Sequence, residues 1–180
     1  MAAMKYLVAC GLDAAQLPPG CAIVADGETV AFEQPWDFGP TSIARADDGV
    51  DLAALRSMPG VTAFTVEGLN EPDGGQAFAI GAHLMRDPDG FKPYAAGVPA
   101  VIQNYGCNYL ARGGAVTPLA GAFCPDRLVL MQFPDADTIV DFYRSEGYAP
   151  LLPIRLTTTV PRFVLMARSG ALPASAHYRD

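Results

Sequence analysis

From residue 77 onward the apolar residues switch between strand-like and helix-like spacing in a fixed order, and Gly or Pro marks most of the switches. Phe78 to Met85 is an apolar run closed by Arg86-Asp87-Pro88-Asp89, which reads as a buried strand ended by a turn. Between Gly90 and Tyr105, the residues Phe91, Tyr94, Val98, Val101, Ile102 and Tyr105 recur at helical spacing. Pro93 suits the first turn of that helix. Pro99 does not suit its middle, and is expected to kink it by removing a backbone donor near Ala95. Gly106 then stops the helix at a left-handed cap position.

Asn108 to Arg112 reads as the next strand and leads into Gly113-Gly114, with a short strand Ala115 to Leu119 after it. Arg127 to Phe133 is a strongly apolar strand. Pro134 and Asp135 open a second helix, whose first turn holds Asp135 and Asp137 where the helix dipole favours negative charge. Ala136, Ile139, Val140 and Tyr143 form its inner stripe, Gly147 ends it, and Phe163 to Ala167 is the last strand. The order is read as β-α-β-β-α-β. That is the split, ferredoxin-like α+β arrangement, an antiparallel sheet with two helices on one face. Its other face needs a cover, because an exposed apolar sheet is a liability.

A polar segment, Asn70-Glu-Pro-Asp-Gly-Gly-Gln76, separates this unit from what precedes it. The first 69 residues are a partial echo. Strands are expected at Lys5–Gly11, Thr41–Arg45 and Val61–Glu67, with a short helix over Val50–Met58 stopped by Pro59-Gly60. Cys21–Ala25 and Glu28–Phe32 flank Asp26-Gly27, a signal for a tight hairpin. This predicts a degenerate ferredoxin-like unit over 1–69, a linker over 70–76, the main unit over 77–168 and a surface tail over 169–180. The two sheets would then face each other as a pseudo-dimeric barrel within one chain.

Composition narrows the function classes. Half the residues are hydrophobic (51%), so the chain can bury a core. The net charge is −7, Lys5 and Lys92 are the only lysines, and no basic run exists, which argues against nucleic acid as a partner. Met1 to Leu12 is too short to span a bilayer and lacks a clear cleavage pattern, so no membrane partner and a cytoplasmic location are expected. Cys10, Cys21, Cys107 and Cys124 have no C-x-x-C spacing, and His83 and His177 lie far apart, so no metal is expected. Neither a phosphate-binding P-loop, nor G-x-G-x-x-G after a strand, nor a G-x-S-x-G elbow is present, and no cofactor is expected.

Several ordered stretches resemble one family. They are Arg86-Asp-Pro-Asp-Gly-Phe-Lys-Pro-Tyr94, Val98-Pro-Ala100, Asn104-Tyr-Gly106, Tyr109-Leu-Ala-Arg-Gly-Gly114 and Pro125-Asp-Arg-Leu-Val129. Phe133-Pro134 and Phe142-Tyr-Arg-Ser-Glu-Gly-Tyr-Ala-Pro150 follow, then Leu152 and Arg155. This pattern resembles the domain of unknown function 1330, in the dimeric α/β-barrel superfamily, over about half the chain. The resemblance implies sheet-to-sheet pairing, usually in homodimers; here the N-terminal unit would take the partner's place. Superfamily relatives include cofactor-free monooxygenases, isomerases, cyclases and decarboxylases, so the fold alone says little about the reaction.

The residues point to a pocket for a small anion. Arg112 precedes two glycines at a strand end, where a guanidinium would hold a carboxylate or enolate, or would instead pair with a surface acid. His83, placed by alternation on the face away from the helices, would act as a general acid or base, or be a satisfied core histidine. Tyr105 and Asn108 sit close to Arg112 in sequence. Arg127 opens the neighbouring strand and would add positive charge, or pair with Asp126 or Glu146. Tyr143, Ser145 and Tyr148 cluster at the end of the second helix, and Tyr148 with Arg155 would close over a ligand.

Two functions remain open. One is a cofactor-free enzyme acting on a planar anionic or aromatic substrate by proton transfer, isomerisation or oxygenation. The other is a non-catalytic small-ligand-binding or scaffold protein.

Overall fold

A computed structural model describes residues 3–168; the expected tail 169–180, with His177, lies outside the described residues. The first part of the chain carries β1 (Lys5–Cys10), β2 (Ala22–Gly27), β3 (Val30–Ala31), β4 (Thr41–Arg45) and β5 (Thr62–Glu67). Short 3-10 turns lie at Ala14–Gln16 and Ala53–Ser57, the second within the span expected as a helix, Val50–Met58. The second part carries β6 (Ala77–Met85), α1 (Pro88–Ile102), β7 (Asn108–Arg112), β8 (Val116–Ala120) and β9 (Arg127–Phe133). It finishes with α2 (Ala136–Tyr143), α3 (Leu152–Thr158), β10 (Thr159–Val160) and β11 (Phe163–Ala167). Among these residues no helix is long and apolar enough to cross a membrane.

The chain is α+β with antiparallel sheets, compatible with a ferredoxin-like fold. One sheet runs β2-β4-β1-β5-β8 and the other β3-β11-β6-β9-β7, with β10 added to β6. The two parts exchange strands. β8, from the second part, pairs with β5, and β3, from the first, pairs with β11. The hairpin expected at Asp26-Gly27 therefore does not form: β2 pairs with β4 instead.

Three apolar layers hold this together. Tyr6, Val8, Ile43 and Phe64 of the first sheet meet Phe78, Ile80, Leu130 and Val164 of the second, so each sheet covers the other. On its far side the second sheet packs against the helices through Ala79, Met131, Phe133, Phe163, Ile139 and Phe142. Leu7, Ala9, Leu55 and Val61 close the outer face of the first sheet.

Alternation along β6 holds, but its two faces are the reverse of the expectation for His83. The larger set, Phe78, Ile80 and Ala82, faces the other sheet. Ala79, Gly81 and His83 face the helices. Spacing defines the two faces without saying which is which. Here α1 brings the bulky Phe91, Tyr94 and Val98, so the strand beneath it must be small.

Helix α1 starts at Pro88 with Asp87 as its cap, the carboxylate accepting from the Gly90 N–H at 2.9 Å. It runs through both Pro93 and Pro99. Asp135 caps α2 in the same way, accepting from the Thr138 N–H at 2.8 Å. α2 ends at Tyr143, short of Gly147, and α3 follows as a helix that the periodicity did not announce.

Candidate functional site

A small pocket, open at its mouth, lies between α1 and the second sheet. Phe91, Tyr94 and Val98 form the helix wall, and Gly81, Val129 and Met131 form the floor. His83, Tyr109, Arg112 and Arg127 supply the polar groups.

Strand register places these groups. His83 and Arg127 are direct cross-strand partners in the β6–β9 ladder and so share a face. Arg112 arrives by a different route. It lies three positions after Tyr109, which in a regular strand would put the two on opposite faces. The ladder slips between Tyr109 and Ala111, a β-bulge that sends both Leu110 and Ala111 into the inter-sheet core. Tyr109 and Arg112 are thereby both turned toward α1.

Arg112 is tied to α1 at a carbonyl that Pro99 leaves without its helical donor. Pro99 has no N–H for the Ala95 carbonyl four residues back. The Arg112 Nη2 donates to that carbonyl at 3.0 Å instead, and the guanidinium lies 5.2 Å from the Tyr109 ring centre. Arg127 lies 5.3 Å from the Phe91 ring centre. Gly113, at φ +76°, makes room for it: a Cβ there would sit 2.7 Å from Arg127 Nη1.

Neither guanidinium has a carboxylate partner within salt-bridge distance among the described residues. Asp126, the expected neighbour of Arg127, accepts from the Met85 N–H at 2.7 Å. Burial pulls the Arg127 pKa down, and the nearby charge of Arg112 pulls the same way. Half-buried Arg127 and exposed Arg112 thus border an apolar-walled slot, neither with a carboxylate partner among the described residues.

His83 is 4% exposed. Burial first, then the charges of Arg155 and Arg127, holds its pKa well below the usual histidine value. Its Nδ1 accepts from the Arg162 N–H at 3.3 Å, so the neutral ring carries its proton on Nε2. That nitrogen lies 3.2 Å from where a Gly81 Cβ would stand. The unfolded chain takes up a proton near pH 6.5 and the folded one does not, so lowering the pH below about 6.5 favours unfolding. Urea unfolding of wild type against His83→Gln between pH 7.5 and 5.5 is expected to show wild type losing stability faster. Parallel pH dependence in the two proteins would contradict a neutral, buried His83.

A second polar network adjoins the pocket. Arg155, fully buried, forms a two-pronged salt bridge with Glu33, Nη1 to Oε2 at 2.8 Å and Nη2 to Oε1. The Tyr143 hydroxyl donates to the same carboxylate at 2.7 Å. Arg155 Nε donates to the Tyr148 hydroxyl at 3.1 Å, and the Tyr148 and Tyr94 hydroxyls are 3.0 Å apart. Glu33 belongs to the segment that follows β3. It is anchored by the β3–β11 pairing and by Phe32, which packs on Tyr143 and Phe163.

Of the residues singled out in the sequence, His83, Arg112 and Arg127 meet in the pocket, while Tyr143, Tyr148 and Arg155 meet in the network. The other three line neither. Tyr105 packs edge-on to Phe142, and Ser145 accepts from the Tyr148 N–H. Asn108 donates to the Glu71 carbonyl. Tyr94, Tyr109 and Glu33 were not anticipated. Pro99 carried a partial signal, since a helix carbonyl it orphans invites a side-chain donor. Among the described residues no three His, Cys, Asp or Glu side chains converge as a metal site.

Residues 76–168, just over half the chain, match the family described as domain of unknown function (DUF1330). The chain belongs to the DUF1330 family. No curated protein matches it. The DUF1330 segment contains every residue that lines the pocket, whereas Glu33 comes from outside it.

Proposed function

We propose that this DUF1330 protein is a cofactor-free small-molecule enzyme acting on a planar anionic substrate, such as an aromatic or keto acid. The observation that carries the reading is the pair Arg112 and Arg127, without carboxylate partners among the described residues, converging with neutral His83 on an apolar-walled pocket. The two guanidiniums hold the anionic group. His83 Nε2–H faces the ligand as a donor able to polarise a carbonyl, and the Phe91, Val98 and Met131 walls exclude water. The chemistry this suits is polarisation of a substrate carbonyl as negative charge develops on its oxygen.

One observation favours a second reading, a ligand-binding protein without turnover. With Nδ1 occupied by the Arg162 N–H, His83 offers the pocket a donor and no free base.

The same proposal takes residues 1–69 as a degenerate ferredoxin-like unit joined by 70–76 to the unit at 77–168. The order β2-β4-β1-β5 parallels β7-β9-β6-β11, and the shared inter-sheet core supports a pseudo-dimeric barrel in one chain rather than a homodimer through that face. The free thiols, Cys10 among them hydrogen-bonded to Thr41, support a reducing compartment such as the cytoplasm. The net charge of −7 supports a small ligand over nucleic acid.

A thermal-shift screen with aromatic and aliphatic carboxylates, phenols and quinones tests the reading. A ligand at about 100 times its Kd stabilises the fold by roughly 2.7 kcal/mol, or about 5–10 °C in Tm for a chain of this size. Carboxylates or phenols are expected to raise Tm. Conversion of a hit without added cofactor supports the enzyme, and unchanged recovery supports the binding protein. No shift with any anion would contradict both.

A further inference from the structure

We infer that Tyr94 is a pre-oriented hydrogen-bond donor to the ligand's oxyanion, held in that orientation by Arg155 through Tyr148 and locked by Glu33 from the N-terminal segment. This rests on the anion-pocket reading above and adds a ligand contact to it.

Arg155 is fully buried and its guanidinium can only donate. Its Nη1 and Nη2 are committed to Glu33, so its Nε is left for the Tyr148 oxygen at 3.1 Å. Tyr148 is itself fully buried, and its hydroxyl has one further polar neighbour, the Tyr94 hydroxyl at 3.0 Å. Were Tyr148 to accept from both, its own proton would be buried without a partner, which costs the full desolvation of a donor. Tyr148 therefore donates to Tyr94. The Tyr94 oxygen is an acceptor in that bond, and its own proton is free for another acceptor. Tyr94 lies on the pocket wall together with Arg112, Arg127 and Tyr109. Its proton is thus available to the space the two arginines make attractive to an anion.

The chain of bonds has a fixed polarity: Arg155 to Tyr148, Tyr148 to Tyr94, Tyr94 to ligand. Each donor in such a chain strengthens the next. Glu33 and the Tyr143 hydroxyl that it accepts hold the first member in place. The segment that precedes the family's own residues therefore sets the direction of a hydrogen bond inside the pocket.

The ligand class follows. It carries an oxyanion within reach of Arg112, Arg127 and a phenol donor, on a flat apolar body that fits between Phe91, Val98 and Met131. Benzoate is a suitable probe, and nitrobenzene is its neutral counterpart of nearly the same shape. Binding of each to wild type, Tyr94→Phe and Tyr148→Phe, measured by ligand-observed NMR on the full chain, tests the inference. Tyr94→Phe is expected to weaken benzoate about tenfold, the usual size for a hydrogen bond to a charged group, and nitrobenzene less than about twofold. Tyr148→Phe keeps the ring but removes the polarising donor, and is expected to weaken benzoate by roughly threefold. Equal losses for the two ligands would mean that Tyr94 is only a wall, and unchanged benzoate binding in either folded variant would overturn the inference while leaving the pocket standing. If one variant fails to fold, the other decides. Failure of benzoate to bind wild type would overturn the anion pocket and this inference with it.

Discussion

Glu33→Ala is expected to destabilise the fold by about 3–5 kcal/mol, the usual cost of leaving a buried charge without its partner. For a chain of this size that lowers Tm by roughly 6–20 °C. Arg155 has no exposed surface, and the Glu33 side chain is only 6% exposed. Removing the carboxylate leaves the guanidinium's Nη groups unpaired and takes the acceptor from the Tyr143 hydroxyl. The comparison that isolates the effect is Glu33→Leu with Arg155→Met. Replacing both charges by apolar groups is expected to recover most of the loss, since the penalty comes from the orphaned charge rather than the missing attraction. Urea unfolding of the single and double variants measures this coupling. Additive losses would contradict the buried pair.

The second large effect separates the two pocket arginines. Arg112→Ala and Arg127→Met are each expected to cost about 10–150-fold in affinity for a carboxylate ligand, from the loss of a charge-assisted contact of about 1.5–3 kcal/mol. Their effects on stability are expected to diverge. Arg112→Ala removes the donor on the Ala95 carbonyl that Pro99 leaves open, at a cost of about 1 kcal/mol. Arg127→Met removes a charge that burial and Arg112 both oppose, so stability is expected to hold or rise. Equal destabilisation by the two substitutions, measured by denaturant unfolding, would contradict these separate roles.

Much of the second unit was legible in the sequence because its elements are long and locally punctuated. β6, β7, β9 and β11 fall where the apolar runs lie, and α1 and α2 begin at the turns read at Arg86-Asp87-Pro88-Asp89 and Pro134-Asp135. What failed to show was set by partners distant in sequence. Periodicity gave β6 two faces but could not say that α1 would bring the bulk and leave the small face for His83. Alternation alone would also have separated Tyr109 from Arg112; the bulge at Leu110 that unites them is visible only in the ladder with β9. Asp26-Gly27 has local hairpin chemistry, yet pairing with β4 and β11 outweighs it. α3 is short, with Pro150 before it and Pro153 in its first turn, and so presents no full amphipathic stripe. Glu33 is an ordinary acid in a loop until Arg155, 122 residues away, is brought against it. Tyr94 sits on a helical stripe that reads as core, and its hydroxyl gains meaning only beside Tyr148.

The central claim is that an anion sits between Arg112 and Arg127. Side-chain NMR of the protein with 15N-labelled arginine, titrated with benzoate, tests it most directly. The Nε–H signals of Arg112 and Arg127 are expected to shift together and saturate at one Kd, with that Kd weakening as salt is raised. Saturation without movement of these two signals, or movement confined to the other arginines, would place the anion elsewhere and contradict the account.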